Sequence, residues 1–320
     1  MLPWRAMPAI STDRRHLLSL ESLSADEILL LLEVASSFTE AAAGRVTPST
    51  KLDGKIIANL FFEDSTRTRS SFTVAATRLS AQTLDLVGST SSVSKGESLI
   101  DTARTIEAMG VDLLVVRTRE AGAPAQIARE VECSVINAGD GSHEHPTQGL
   151  LDLLTIQQRF GNDLTGKTIA IVGDVLNSRV ARSAIHGLTK LGVNVHLVGP
   201  TNLVPKTFEQ IATGPGSVEV SYDLDAVLPS LDAIMMLRVQ FERQRGNAIT
   251  SDYRSQYALT VDRARKLPPD AIVMHPGPMN RGLEIDSEVA DDPDRSVIFQ
   301  QVSNGVAVRM AVLTRCLGGS

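Results

Sequence analysis

Apolar positions in this chain gather into short continuous runs that alternate with longer stretches of helical period. Lys55–Glu63 (KIIANLFFE), Thr83–Val87, Asp112–Arg117 and Ser134–Ala138 are runs of the first kind. Their length and β-branched content are those of buried strands. Between them lie the helical segments Thr66–Leu79, Ser98–Met109 and Pro124–Val131, then the long segment His145–Phe160. Ahead of these, Ser24-Ala25-Asp26-Glu27 has the form of a capping box and predicts a helix with apolar residues from Ile28 to Ala43, ended by Gly44. The rhythm restarts after Gly161. Strands are expected at Thr168–Gly173, Asn194–Val198, Val218–Ser221, Ala233–Arg238 and Ala271–Met274, with helices at Ser178–Leu191 and Val302–Leu317.

Continuous apolar strands separated by helices imply parallel sheets covered on both faces. Two such runs predict an α/β protein of two doubly wound parallel-sheet domains, joined by the long helix His145–Phe160. A length of 320 residues suits two domains, and an apolar fraction of 42% suffices for their cores.

Composition narrows the setting. A net charge of −6 argues against nucleic acid as the main partner. The two cysteines, Cys133 and Cys316, lack metal-ligand spacing and fit a reducing compartment. No apolar run approaches the ~18 residues of a membrane span, and Met1–Ile10 lacks a signal-peptide core. A cytoplasmic protein, not bound to membrane, is expected.

In open parallel sheets ligands bind beyond the carboxyl ends of the strands. Those ends are rich in Arg, Lys, His, Ser and Thr here. Ser65-Thr66-Arg67-Thr68-Arg69 ends a strand and opens a helix, where free backbone N–H groups, hydroxyls and guanidinium groups suit a phosphate. His145-Pro146-Thr147-Gln148 opens the long helix; His145 can donate to a carbonyl and Gln148 can bind an amide. Each motif could instead be a plain helix cap with a solvated face. Arg117 ends an apolar strand and could complete a clamp on the same carbonyl. Ser91 and Lys95 lie in a polar loop, SSVSKGES, that could equally be a solvated turn. Arg179, and Arg238 with Gln240, offer two separate arginines for a substrate with two carboxylates, although either could be a surface ion pair. In His275-Pro276-Gly277-Pro278-Met279-Asn280-Arg281-Gly282 the prolines and glycines force a turn whose carbonyls could accept from a ligand amide. The Gly277–Pro278 bond there tolerates the cis form.

Two motifs are set aside. Gly161–Thr168 (GNDLTGKT) matches the P-loop letter for letter, but a helix leads in and a strand leads out, the reverse of what a P-loop needs. His143-Glu144-His145 has too few further ligands nearby for a zinc site, so no metal is expected.

Taken in order, FFEDSTRTRSSF, SSVSKGESLIDT, HPTQ with LLD, GDVLNSRVARS, RVQFER and HPGPMNRGLEI resemble the aspartate/ornithine carbamoyltransferase superfamily, from about Leu17 to Leu317. STRTR is shared by both branches. Lys95, the RVQ at Arg238–Gln240 and Gly277 in place of a cysteine point to the aspartate branch. The resemblance implies transfer of a carbamoyl group from carbamoyl phosphate to the amino group of L-aspartate, in pyrimidine biosynthesis, without a cofactor. It implies a carbamoyl-phosphate-binding domain of residues 1–148 plus 300–320, on which the C-terminal helix packs back, and an aspartate-binding domain of residues 149–299. Ser65, Thr66, Arg67 and Thr68 would hold the phosphate. Arg117, His145 and Gln148, with the backbone of Gly277 and Pro278, would hold the carbamoyl part. Arg179, Arg238, Gln240 and Lys95 would bind aspartate. Arg67, Thr68, Arg117, His145 and Lys95 would carry the chemistry. Ser91 and Lys95 would reach into a neighbouring subunit's site, which implies a trimer. On closure of the two domains, Glu63 would pair with Arg179 or Arg243. The family occurs as bare trimers, with regulatory chains, or bound to dihydroorotase, and the residues choose none of these. They identify no general base and give the segment before Leu17 no role.

Overall fold

The computed structural model describes residues 16–87, 97–239 and 252–318. The expectations for Ser91, Lys95, Gln240 and Arg243 lie outside the described residues.

Among the described residues, nine strands form two parallel sheets. The first contains β1 (Ile56–Phe61), β2 (Gln82–Val87), β3 (Leu113–Thr118) and β4 (Ser134–Asp140), in the order β2-β1-β3-β4. The second contains β5 (Thr168–Val172), β6 (Asn194–Val198), β7 (Val218–Ser221), β8 (Ala233–Met236) and β9 (Ile272–Met274), in the order β7-β6-β5-β8-β9. Every pairing is parallel. Central strands are buried end to end, as Leu113–Val116 and Ile169–Val172 show. That explains why their sequences do not alternate.

The helices are α1 (Ala25–Ser37), α2 (Thr39–Ala42), α3 (Thr66–Arg78), α4 (Leu99–Glu107), α5 (Ala123–Ala128), α6 (Pro146–Phe160), α7 (Arg179–Lys190), α8 (Leu224–Val227), α9 (Tyr253–Tyr257), α10 (Val261–Ala264), α11 (Ser287–Ala290) and α12 (Ile298–Leu317). The capping box at Ser24 and Glu27 is present. The helix expected to run unbroken to Ala43 is instead divided at Phe38. There Ser37 Oγ donates to Val34 O at 2.6 Å and Thr39 Oγ1 to Ser36 O at 2.8 Å, hydroxyl bonds that compete with the helical ladder. At the other end, α12 begins at Ile298, ahead of the expected Val302. Phe299 and Val302 are exposed, so the apolar stripe of the first turn is out of phase with the core.

The two sheets share one continuous apolar cluster, and α6 is its spine. Leu150, Leu151, Leu153, Leu154 and Ile156 of this helix are all buried. Such side chains contribute roughly 1.5–3 kcal/mol each, as an upper range. α12 packs on α1, α3 and α6, and α6 also packs on α7. The C-terminal helix thus covers the first sheet's side, as expected. In each sheet the strand order reverses once, between β1 and β3 and between β5 and β8. A crevice opens at such a point beyond the carboxyl ends of the strands.

Candidate active site

Both crevices open into one cavity of about 580 Å³. The segments that leave β1, β3, β5 and β8 all contribute to it. They supply Glu63–Thr68, Arg117 and Arg119, Ser178 and Arg179, and Leu237 and Arg238. His145 and Gln148 enter from the start of α6, His275–Pro278 from the turn after β9, and Gln301 and Arg309 from α12. Every expected site residue within the described segments therefore lines this one cavity.

Two helix starts distinguish its floor. Ser65 is the N-cap of α3 and His145 the N-cap of α6, yet neither side chain caps its helix. By contrast Ser24, Ser98, Ser178 and Thr260 each accept from a backbone N–H of their own helix. The plain-cap reading of STRTR and HPTQ thus fails. The first turn of α3 lines the cavity with its partial positive charge, whereas at α6 Pro146 has no N–H and Gln148 N–H donates to His145 O at 2.9 Å, so that helix start contributes its dipole and the side chains of His145 and Gln148.

Thr68 is buried with its Oγ1 3.5 Å from His145 Nε2. The His145 backbone N–H donates to Ser183 Oγ at 2.8 Å, which ties the start of α6 to α7. Burial, then the charges of Arg117, Arg179 and Arg309, hold the His145 imidazole well below its ordinary range. It is neutral near pH 7 and keeps one N–H to donate.

Arg117 is aimed by a bulge. The register between β3 and β4 shifts between Val116 and Thr118, where Val116 pairs with Asn137 but Thr118 with Asp140. Gly139 adopts φ +116°, and a Cβ there would lie 2.9 Å from Arg179 Nε and 3.3 Å from Arg117 Nη1. Only glycine gives both the backbone angle and the room. Arg117 Nη1 donates to Ala138 O at 3.2 Å, beside this bulge.

Arg179 is buried at the first turn of α7, a position where the helix dipole repels a cation. Glu63 offsets this, accepting from Arg179 Nη1 at 2.8 Å and lying 3.7 Å from Arg117 Nε. The Glu63–Arg179 pair, one of the two expected on closure, is present here and ties the first sheet to the second. Arg67 lies along the turn after β9; a Cβ on Gly277 would be 3.5 Å from its guanidinium carbon. Burial, then the charge of Arg238, lowers the pKa of Arg67. The Gly277–Pro278 bond is cis.

Three polar residues, Gln301 and Arg309 at the cavity and Asp152 behind it, had no role in the sequence reading. Asp152 Oδ1 accepts from Gln148 Nε2 at 3.0 Å and from Gln301 Nε2 at 2.8 Å. Arg309 is buried over the Phe72 ring, 5.1 Å from its centroid. Burial pushes the Asp152 carboxyl up to about 7 and brings the Arg309 guanidinium down to about 10, while each group's charge favours ionisation of the other. Two signals were legible: the four-residue spacing of Gln148 and Asp152, and an arginine inside an apolar helix.

The discarded motifs are structural. Lys167 sits ahead of β5, at the sheet end opposite the cavity, with Nζ 2.9 Å from Asp232 Oδ1 and 4.8 Å from the Phe160 centroid. The side chains of His143, Glu144 and His145 part company. His143 faces Asp140, while Glu144 accepts from Leu20 N–H at 2.9 Å and Ser183 Oγ–H at 2.7 Å. Glu144 also lies near Glu21 and His186, but its carboxylate oxygens are already engaged.

Known proteins match this arrangement over nearly its whole length. A family model described as "Aspartate/ornithine carbamoyltransferase, carbamoyl-P binding domain" matches residues 15–158, and its companion "Asp/Orn binding domain" matches residues 165–316. The aspartate carbamoyltransferase catalytic subunit of Salinispora tropica is 54% identical over 308 residues, 96% of this chain and 99% of that protein. The solved aspartate transcarbamoylase of Trypanosoma cruzi in complex with N-(phosphonacetyl)-L-aspartic acid has a TM-score of 0.84 at 34% identity, covering 93% of this chain and 94% of that one. The ornithine carbamoyltransferase of Pyrococcus furiosus has a TM-score of 0.85 at 31% identity, covering 97% and 99%. The fold alone therefore does not separate an aspartate from an ornithine enzyme.

Proposed function

The chain belongs to the aspartate/ornithine carbamoyltransferase family, and from that premise we propose that it is an aspartate carbamoyltransferase. It transfers the carbamoyl group of carbamoyl phosphate to the amino group of L-aspartate, giving N-carbamoyl-L-aspartate and phosphate for pyrimidine biosynthesis in the cytoplasm. The observation that carries this reading is the convergence of two uncapped helix starts with Arg179 and Arg238 on one cavity.

The start of α3, with Ser65, Thr66, Arg67 and Thr68, holds the phosphate. Arg117, neutral His145 and Gln148, with the backbone of Gly277 and Pro278, hold the carbamoyl group. Arg179 and Arg238 hold the aspartate carboxylates, together with Gln240 and Lys95. The neutral amine of aspartate attacks the carbamoyl carbon and a C–N bond forms. Negative charge on the carbonyl oxygen is met by donors from Thr68, Arg117 and His145. Such a donor is usually worth about 3–4 kcal/mol. The C–O bond to phosphate then breaks, Arg67 takes up the charge developing on the leaving phosphate, and the phosphate carries off the amine proton. Positioning and electrostatics supply most of the rate. No step calls for a metal or organic cofactor, because the leaving group and the nucleophile both come with the substrates.

Ser91 and Lys95 are assigned to the site of a neighbouring subunit, so the working form is a trimer. Mixing an inactive Lys95→Ala chain with an inactive Arg67→Ala chain tests this. Recovered activity in the mixed oligomers is expected, and no recovery contradicts shared sites. The acceptor is tested by supplying carbamoyl phosphate with aspartate or with ornithine. Carbamoyl-aspartate should form and carbamoyl-ornithine should not; a higher kcat/KM for ornithine would overturn the assignment.

A further inference from the structure

We propose that Asp152 is a positioning residue: it fixes the Gln148 amide with its oxygen toward the substrate, so that the site selects a carbamoyl –NH2 over a group of the same shape without donors. This rests on the reading in which Gln148 holds the carbamoyl group.

The two ends of a primary amide are alike in size and opposite in hydrogen-bonding sense. An amide that lines a site can therefore present either end unless something fixes it. Gln148 lies in the first turn of α6, buried and lining the cavity. One turn further on, Asp152 takes the Gln148 Nε2 donor on Oδ1 at 3.0 Å. An ionised carboxylate only accepts, so this contact turns the nitrogen inward and leaves Oε1 as the end that can meet a ligand –NH2.

The carboxylate is itself held. Gln301 Nε2 on α12 donates to the same Oδ1 at 2.8 Å. Gln301 Oε1 in turn accepts from His275 N–H at 2.9 Å, and His275 Nδ1 accepts from Gly277 N–H at 2.8 Å. Two amides thus donate to one carboxylate oxygen and each turns its oxygen the other way, one toward the cavity and one toward the turn that carries Gly277. The hydrogen-bonding sense is set at every link from α6 to α12 to that turn. An apolar residue at position 152 would leave both amide donors without this acceptor and the Gln148 amide free to reverse. A fully buried carboxylate is costly, and setting this direction is what it supplies.

The test compares binding of carbamoyl phosphate with acetyl phosphate, in which a methyl group replaces the –NH2. It uses the full chain at about pH 8.5, where a carboxyl whose pKa is about 7 is ionised. The readout is the ratio of the two affinities. Gln148→Ala and Asp152→Leu should each lower that ratio at least about 10-fold, with no further fall in the double variant, because one recognition is lost either way. Asp152→Asn keeps an oxygen able to accept from both amides, so its ratio should stay within about 3-fold of the unaltered protein. If Asp152→Leu fails to fold, Asp152→Ala carries the same expectation. A fall in affinity for both phosphates alike in the position-152 variant, with a lowered ratio in Gln148→Ala, would overturn the role of Asp152 and leave that of Gln148 standing. An unchanged ratio in Gln148→Ala would overturn the reading of Gln148 and, with it, this proposal.

Discussion

The two halves of the cavity present positive charge in different ways. On the side of the first sheet, helix starts add partial charge to the guanidinium groups of Arg67 and Arg117. The starts of α3 and α6 point into the cavity without side-chain caps, with Thr68 and neutral His145 beside them. On the side of the second sheet the start of α7 is closed, because Ser178 Oγ accepts from Ala181 N–H. There charge comes from the guanidinium groups of Arg179 and Arg238, set beyond two adjacent strands. A helix start fits the compact charge of a phosphate, whereas separated guanidinium groups fit two carboxylates. On the proposed reading, the donor's phosphate meets a helix start as well as side chains, and the acceptor meets side chains alone.

The largest effect should follow from damage to the first half. Arg67→Ala should lower kcat about 10²–10³-fold, the scale expected when one donor to developing charge is removed. Full turnover with only a raised KM for carbamoyl phosphate would refute its leaving-group role. Damage to the second half should be milder and of another kind. Arg238→Ala should raise KM for aspartate roughly 10–100-fold, as loss of a charge-assisted bond does. A saturation series in aspartate separates that from a pure fall in kcat.

The network behind the first half should show itself in stability. Burial raises the Asp152 carboxyl to about 7 from its ordinary 3.8. The folded protein therefore keeps this proton where the unfolded chain has lost it. The contribution is fully present below about pH 4 and is lost as pH rises through about 7. Asp152→Asn should flatten that part of the stability profile in denaturant melts across pH, and an unchanged profile would deny the shift. The smallest effect should come from Lys167→Ala at the far end of the second sheet. Its partly exposed pair with Asp232 is worth at most about 1 kcal/mol, and kcat/KM should not move. A large loss of activity would reopen the phosphate-loop reading of Gly161–Thr168.

The same contrast explains what the sequence could convey. STRTR and HPTQ were legible because a strand end followed by a helix start is a local pattern. Arg179 and Arg238 were legible because the strand-end rule singles them out. The bulge at Gly139 was not, since a shift of register between β3 and β4 leaves no mark in either strand alone. Nor was the direction of the Gln148 amide, which depends on Gln301, 149 positions beyond Asp152. The short helices α8 to α11, of 4 or 5 residues each, have too little length for a period. The break at Phe38 reflects hydroxyls that bond back to the helix, a local effect that apolar spacing does not register.

The division of labour can be measured most directly by titrating carbamoyl phosphate alone into Arg67→Ala and Arg238→Ala. Arg238→Ala should bind it within about 3-fold of the unaltered protein, and Arg67→Ala at least about 10-fold more weakly, the loss of one charge-assisted contact. Equal weakening in the two variants would contradict the proposal that Arg67 serves the donor and Arg238 the acceptor.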